Sequence, residues 1–218
     1  MDLRLGLATQ RLSSMANELY KLREDYPPLT KRADGKYEGD ILAFVKGLRI
    51  AALVTYCLRT WLSGSAWEAS WGHVIDSDGK SCSPECDIII HKGYVAHWNG
   101  DGGLSPMMDF KFVDAAAVLA VVSCKSRVAS VDEDYPGQLK KYGVKNVMLF
   151  GECCSQTNYD NLVIKAKAAG YQGLWCAYFQ DGSGEGFTTD EAVYAQFYET
   201  VKALLAGDQI ASNEPATV

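Results

Sequence analysis

Two short runs constrain this chain more than any other feature. Ile88-Ile89-Ile90 and Val118-Leu119-Ala120-Val121-Val122 are apolar at every position. A strand with one wet face alternates apolar and polar residues. A strand apolar on both faces belongs inside a sheet that is covered on both sides. Each run also carries a charge at one end. Asp87 opens the first, within Cys86–His91, and Lys125 follows the second, within Val118–Cys124. The chain must therefore build a covered sheet with an acid and a base at the mouths of buried strands.

The rest of the chain supplies the covering layers. Leu5, Ala8, Leu12, Met15, Leu19 and Leu22 step by three and four, which predicts a helix over Leu3–Arg23. Pro27-Pro28 cannot continue it. After a polar link at Lys31–Lys36, the apolar face Ile41, Phe44, Val45, Leu48, Ala52 and Leu53 predicts a long helix over Tyr37–Leu62. Trp67–Ile75 has strand composition, and Asp76–Lys80 is turn chemistry. Gly93–Pro106 is glycine-rich and expected to be a loop, and Phe110–Val113 a short strand. Helices are expected over Glu133–Tyr142, over Tyr159–Ala169 closed by Gly170, and over Thr189–Leu205 closed by Gly207. Strands are expected between them at Asn146–Phe150 and Gly173–Phe179. The expected fold class is α/β: a mixed central sheet flanked by helices.

Composition narrows the function. At 218 residues, 48% hydrophobic and 22% charged, the chain has enough material for one well-buried core. No stretch approaches the roughly 20 apolar residues of a membrane span. The first residues, MDLRLGLATQRLSS, have no apolar run of signal-peptide length, so a cytoplasmic protein is expected. With 21 basic and 27 acidic residues, the net charge of −6 argues against holding nucleic acid by bulk charge alone. A local basic groove, or a partner that brings the basic surface, stays open. Seven cysteines, an odd number, do not suggest a disulfide framework.

The chemistry of the charged strand ends follows from their residue types. A carboxylate such as Asp87 can hold a divalent cation through oxygen. A lysine such as Lys125 can stabilise charge on phosphate or help activate water. The bland alternative is that both are charges where strands leave the core. Other constellations carry less. Cys82 and Cys86, with Cys153-Cys154 and three histidines, lack the tight spacing of a zinc site. Cys124 alternates with Ser123 and Lys125 and should face away from them. The loop Trp98–Gly103 lacks the order of a phosphate-binding P-loop.

The run SPECDIIIHKG, followed by FVDAAAVLAVVSCKSRV, resembles the core of the PD-(D/E)xK nuclease superfamily. More narrowly it is similar to a group of small uncharacterised bacterial domains within it. The matching stretches are Glu38 in KYEGDILAF, Gly72–Asp76 (GHVID), Ser83–Ile90 (SPECDIII) and Ala117–Ser126 (AVLAVVSCKS). The resemblance as a whole covers about residues 36–152. The resemblance implies a restriction-endonuclease-like fold and a Mg²⁺- or Mn²⁺-dependent DNA endonuclease, with restriction or anti-phage defence as its setting. It implies Asp87 as metal-binding aspartate, Lys125 as catalytic lysine and Glu38 as the helix glutamate that completes the metal site. Glu85 stands two residues before Asp87, where the narrower group has glutamine, so it is a further metal candidate.

Ser123 departs from the pattern, which has an acidic residue two before the lysine. Strand parity still turns Ser123 to the same side as Lys125. Three explanations stay open: a carboxylate from elsewhere (Glu38, Glu85, Glu133 or Asp134), an introduced inactivating change, or loss of catalysis. Downstream, Gln138 and Tyr142 fit Q-x-x-x-Y, a helix motif of the recombination-exonuclease branch. There the resemblance implies DNA contact, to which Lys140 and Lys141 would add charge. The bland alternative is an exposed Gln138 and a Tyr142 packed on the sheet.

The expected organisation is a single domain over 1–207: an N-terminal helical extension (1–30), the nuclease-like core (36–152) and an α/β completion (153–207). A flexible tail (208–218) is expected to follow. DNA is the expected substrate, with a protein partner or a homo-oligomer and no membrane. The alternative is a catalytically degenerate nuclease-fold subunit that binds or scaffolds within a larger complex.

Overall fold

The computed structural model describes residues 6–7, 10–11, 13–14, 40–76, 78–92, 110–180 and 187–213. The elements run α1 (Asp40–Leu62), β1 (Trp67–Ile75), β2 (Cys86–Lys92), β3 (Phe110–Asp114), β4 (Val118–Val128), α2 (Tyr135–Lys140), β5 (Val147–Ser155), α3 (Tyr159–Ala169), β6 (Leu174–Gln180), β7 (Phe187–Thr188) and α4 (Glu191–Asn213). The strands form one sheet in the order β3-β1-β2-β4-β5-β6-β7. The pairs β1/β2, β2/β4 and β6/β7 are antiparallel, and β1/β3, β4/β5 and β5/β6 are parallel. The mixed α/β class expected from the sequence is the observed one.

The two apolar runs lie side by side at the centre. Ile88 pairs with Val122, Ile89 with Val121 and Ile90 with Ala120. All six are fully buried. α1 packs across β4, β1 and β2, and α4 packs on β6 and β4. Both helices cover the same face, because Trp61 of α1 meets Phe197 and Tyr198 of α4. Phe197 in turn packs on Phe150 and Trp175 of the sheet. Burying aromatic side chains of this size contributes about 1.5–3 kcal/mol each, so this contact anchors the helical layer. Among the described residues, no helix is long and apolar enough to cross a membrane.

Gly72 explains how β3 reaches β1. A Cβ on Gly72 would stand 1.7 Å from the Lys111 carbonyl oxygen, and its φ is +152°. Only glycine permits that approach. The register of β1 against β2 shifts between Ser70 and Gly72, so the strand is bulged at the same point.

Several boundaries differ from the sequence expectations. β4 runs four residues past Cys124 and β5 continues to Ser155, because parallel pairing joins Arg127 to Cys153 and Val128 to Cys154. Gly170 does end its helix, in the left-handed conformation at φ 100°. Gly207 does not: α4 passes through it to Asn213, so the expected tail begins inside a helix. Lys92 and Asp208 form an ion pair at 2.6 Å, which ties that part of α4 to the sheet. The described residues between 6 and 14 are helical, and the remainder of Leu3–Arg23 lies outside the described residues. So do the link Lys31–Lys36, the loop Gly93–Pro106 with Trp98–Gly103, and the last five residues.

Candidate active site

β2 and β4 part company at Asp87. Extending their register by one residue sets Asp87 opposite Ser123. There the Cys124 backbone N–H donates to Asp87 Oδ2 at 2.7 Å. The side chain therefore accepts a bond that a strand carbonyl would otherwise accept. This holds the carboxylate at the mouth of two apolar strands. Burial pushes the Asp87 carboxyl above its ordinary range, and the Glu85 charge pushes the same way. The Cys124 N–H, the Lys125 ammonium and the Ser123 hydroxyl act in the opposite sense without cancelling the burial. Asp87, Ser123, Lys125 and Glu85 are thus brought together.

Within that group the roles separate by exposure. Ser123 is only 2% exposed, whereas Lys125 is exposed. On the β5 side Lys125 pairs with Gly151, which carries no side chain to crowd it. Glu85 is exposed but held at both ends: Trp71 Nε1–H donates to its Oε1 at 2.7 Å, and the Tyr135 hydroxyl donates to its carbonyl oxygen at 3.2 Å. Burial, with Cys86 and Asp87 nearby, raises the Tyr135 phenol well above its ordinary value. It therefore stays protonated and can act as a donor. The Cys124 thiol, fully enclosed, is likewise pushed well up and keeps its proton. A thiolate nucleophile is not favoured there.

Trp71 and Tyr135 are site residues that the sequence reading missed. The sequence places Trp71 only within the expected strand Trp67–Ile75. Its contact with Glu85 spans fourteen residues and depends on the bulge in β1. Tyr135 reaches across fifty residues from the start of α2. No short-range pattern carries either contact.

Beside the carboxylates lies a groove of about 440 Å³. Gly47, Ala51 and Tyr56 of α1 line it, together with Trp71, Glu85 and Asp87. Small side chains on α1 keep it open, and Tyr56 is 55% exposed.

The remaining expected site residues fare differently. Glu38 lies outside the described residues. Glu133 and Asp134 are exposed before α2, where Asp132 accepts the N–H groups of Asp134 and Tyr135. The expected helix over Glu133–Tyr142 is shorter: it ends at Lys140, and Tyr142 N–H turns back to the Leu139 carbonyl at 3.0 Å. Gln138 is exposed and Tyr142 packs against the core, which is the plainer of the two readings the sequence left open for them. Lys140 and Lys141 are exposed at the end of α2.

Oxygen donors suit a hard divalent cation, and Asp87 and Glu85 are close enough for the charge of one to act on the other. Two carboxylates with a neighbouring ammonium fit a metal-assisted phosphoryl site. Among the described residues, no group of three or more His, Cys, Asp or Glu gathers to enclose an ion.

A seven-stranded mixed sheet with helices across it, and an acid and a lysine where two central strands diverge, define the α/β architecture of this chain. Solved structures of similar fold include two forms of NucC. NucC from P. aeruginosa in its cAAA-bound form matches with a TM-score of 0.59, 12% identity, and coverage of 94% of this chain and 91% of the other. NucC from E. coli, also cAAA-bound, matches with a TM-score of 0.57 and 13% identity, over 94% and 90%. No family model matches the chain. No curated protein sequence matches it. The likeness is one of fold.

Proposed function

We propose that this chain is a divalent-metal-dependent nuclease that cuts DNA in an anti-phage setting. The observation that carries the reading is the convergence of Asp87, Glu85 and Lys125 where β2 and β4 separate. Asp87 and Glu85 would hold Mg²⁺ or Mn²⁺, with Glu38 as a further ligand. Such an ion lowers the pKa of bound water and offsets charge that builds on the phosphate.

The chain's own residues do the positioning. The Cys124 N–H fixes Asp87, and Trp71 and Tyr135 fix Glu85. Lys125 supplies positive charge against the negative charge that the phosphate gains on attack, and orients the attacking water. Glu85 takes the place of the carboxylate absent at Ser123. The net charge of −6 makes a partner or self-assembly the natural source of further DNA-binding surface. The cAAA bound to both NucC structures makes a cyclic adenylate the first candidate trigger.

The second reading is a degenerate subunit that binds without cutting, and the neutral, buried Ser123 favours it. Plasmid cleavage with Mg²⁺ or Mn²⁺, with and without cAAA, separates the two. The nuclease reading expects metal-dependent nicking that falls at least a hundredfold in Asp87→Asn and Lys125→Ala. Equal cleavage by wild type and both variants removes Asp87 and Lys125 as the cutting site, and no cleavage under any condition from folded protein favours the second reading.

A further inference from the structure

We propose that the groove beside Asp87 receives one unstacked nucleobase, so that the preferred substrate of this site is single-stranded or locally opened nucleic acid. The inference rests on the nuclease reading and narrows its substrate. Glu85 and Asp87 belong to the groove's own lining, so a strand whose phosphate meets them has a base next to the cavity. Two aromatic rings, Tyr56 and Trp71, line the same cavity. Aromatic faces are the general means of holding bases without reading sequence. The Trp71 indole is anchored by its bond to Glu85, so ring and carboxylate are fixed as one unit.

A cavity of this volume takes one base and cannot enclose a duplex. About 440 Å³ accommodates a planar heterocycle with room for its sugar, whereas a duplex is far wider than the cavity. A base within a stack has both faces covered, and reaches such a pocket only when it leaves the stack. Charge agrees with this occupant. The Arg11 guanidinium lies 5.7 Å from the Tyr56 ring centre. Arg59 also lines the groove, but its Nε and Nη2 donate to the Ala69 carbonyl oxygen at 3.2 and 3.0 Å, which turns the guanidinium toward the neighbouring cavity of Glu68, Ala69 and Lys111. The Arg11 cation suits a ligand that carries phosphate. The two carboxylates repel the same ligand until a divalent cation neutralises them, so binding should require metal.

The groove can be closed without touching the acids or the lysine. A Cβ at Gly47 meets nothing within 4 Å, so Gly47→Leu projects into open space from a helix. Tyr56→Ala removes one ring instead. The probe is a phosphorothioate 12-mer carrying one 5-iodouracil, single-stranded or annealed, with Mn²⁺. Anisotropy reads affinity, and mass spectrometry reads the photo-crosslinked residue. The expected result is at least tenfold tighter binding of the single strand, with adducts on Tyr56 or Trp71. Each variant should weaken that binding about tenfold while its circular dichroism stays unchanged.

Equal or tighter binding of the duplex, adducts only elsewhere, full affinity in both variants, or no binding at all overturns the proposal. Plasmid nicking that is lost in Asp87→Asn but unaffected by Gly47→Leu would sink the groove and leave the nuclease standing. Absence of metal-dependent nicking would remove the nuclease reading itself.

Discussion

Trp71 Nε1–H meets Glu85 Oε1 at 2.7 Å, and this bond joins a bulged edge of β1 to the carboxylate that precedes β2. It sets the direction of an otherwise exposed side chain. Trp71→Phe keeps a ring and loses the donor. A hydrogen bond to a charged group is worth about 1.5–3 kcal/mol, less where water competes. We expect Mn²⁺ affinity to fall three- to tenfold, about 1 kcal/mol, in a calorimetric titration. Unchanged affinity would exclude Glu85 as a ligand.

The buried Asp87 carboxylate should cost stability, on the proposed reading in exchange for a metal ligand. Burial raises its carboxyl above the ordinary 3.8. Across the interval from 3.8 up to the folded value, the folded protein holds the extra proton. Stability therefore falls as pH rises through that interval, and the loss is complete above it. Asp87→Asn keeps an acceptor for the Cys124 N–H and removes the charge. In EDTA it should melt higher than wild type at pH 7, with the gap closing as pH drops below the carboxylate range. Melting curves at several pH values would contradict this by showing wild type the more stable at pH 7.

Ser123→Asp tests the missing carboxylate. The position is 2% exposed and faces Asp87 across the strands. Without metal, a second buried carboxylate should destabilise the fold by about 1–3 kcal/mol. Mn²⁺ should restore the loss and bind at least tenfold tighter than to wild type. A melting temperature that ignores Mn²⁺ would speak for the degenerate reading.

Gly72 and Gly47 should respond oppositely to alanine. At Gly72 the new Cβ runs into the Lys111 carbonyl oxygen at 1.7 Å, and the β1–β3 pairing must open. A cost of about 3 kcal/mol or more is expected. At Gly47 nothing lies within 4 Å, and alanine should stabilise the helix by about 0.5–1 kcal/mol. Urea unfolding of both variants measures the contrast.

Much of the site was legible in the chain. The two apolar runs predicted adjoining central strands, and the charges at their ends predicted the carboxylate and lysine that the candidate site brings together. Strand parity set Ser123 with Lys125, and the interval between Glu85 and Asp87 suggested that they act together. Other features were not legible. Gly207 looked like a helix stop, yet α4 continues through it, because propensity yields to tertiary packing of the helix. The helix expected to reach Tyr142 ends at Lys140, although the packing of the Tyr142 ring on the core was one of the two readings the sequence offered.

The sequence by itself determined the covered sheet, its two central strands and the acid and base at their mouths. Those follow from local rules: hydrophobic period, turn chemistry and the intolerance of buried strands for charge. Only the tertiary structure decided that Asp87 bonds to the Cys124 backbone, that Trp71 and Tyr135 hold Glu85, and that a groove opens beside them. Each of these depends on where one element crosses another, on a bulge at Ser70–Gly72 or on the space left by Gly47. Such separations are set by the packing of the whole core, which no local window of residues encodes.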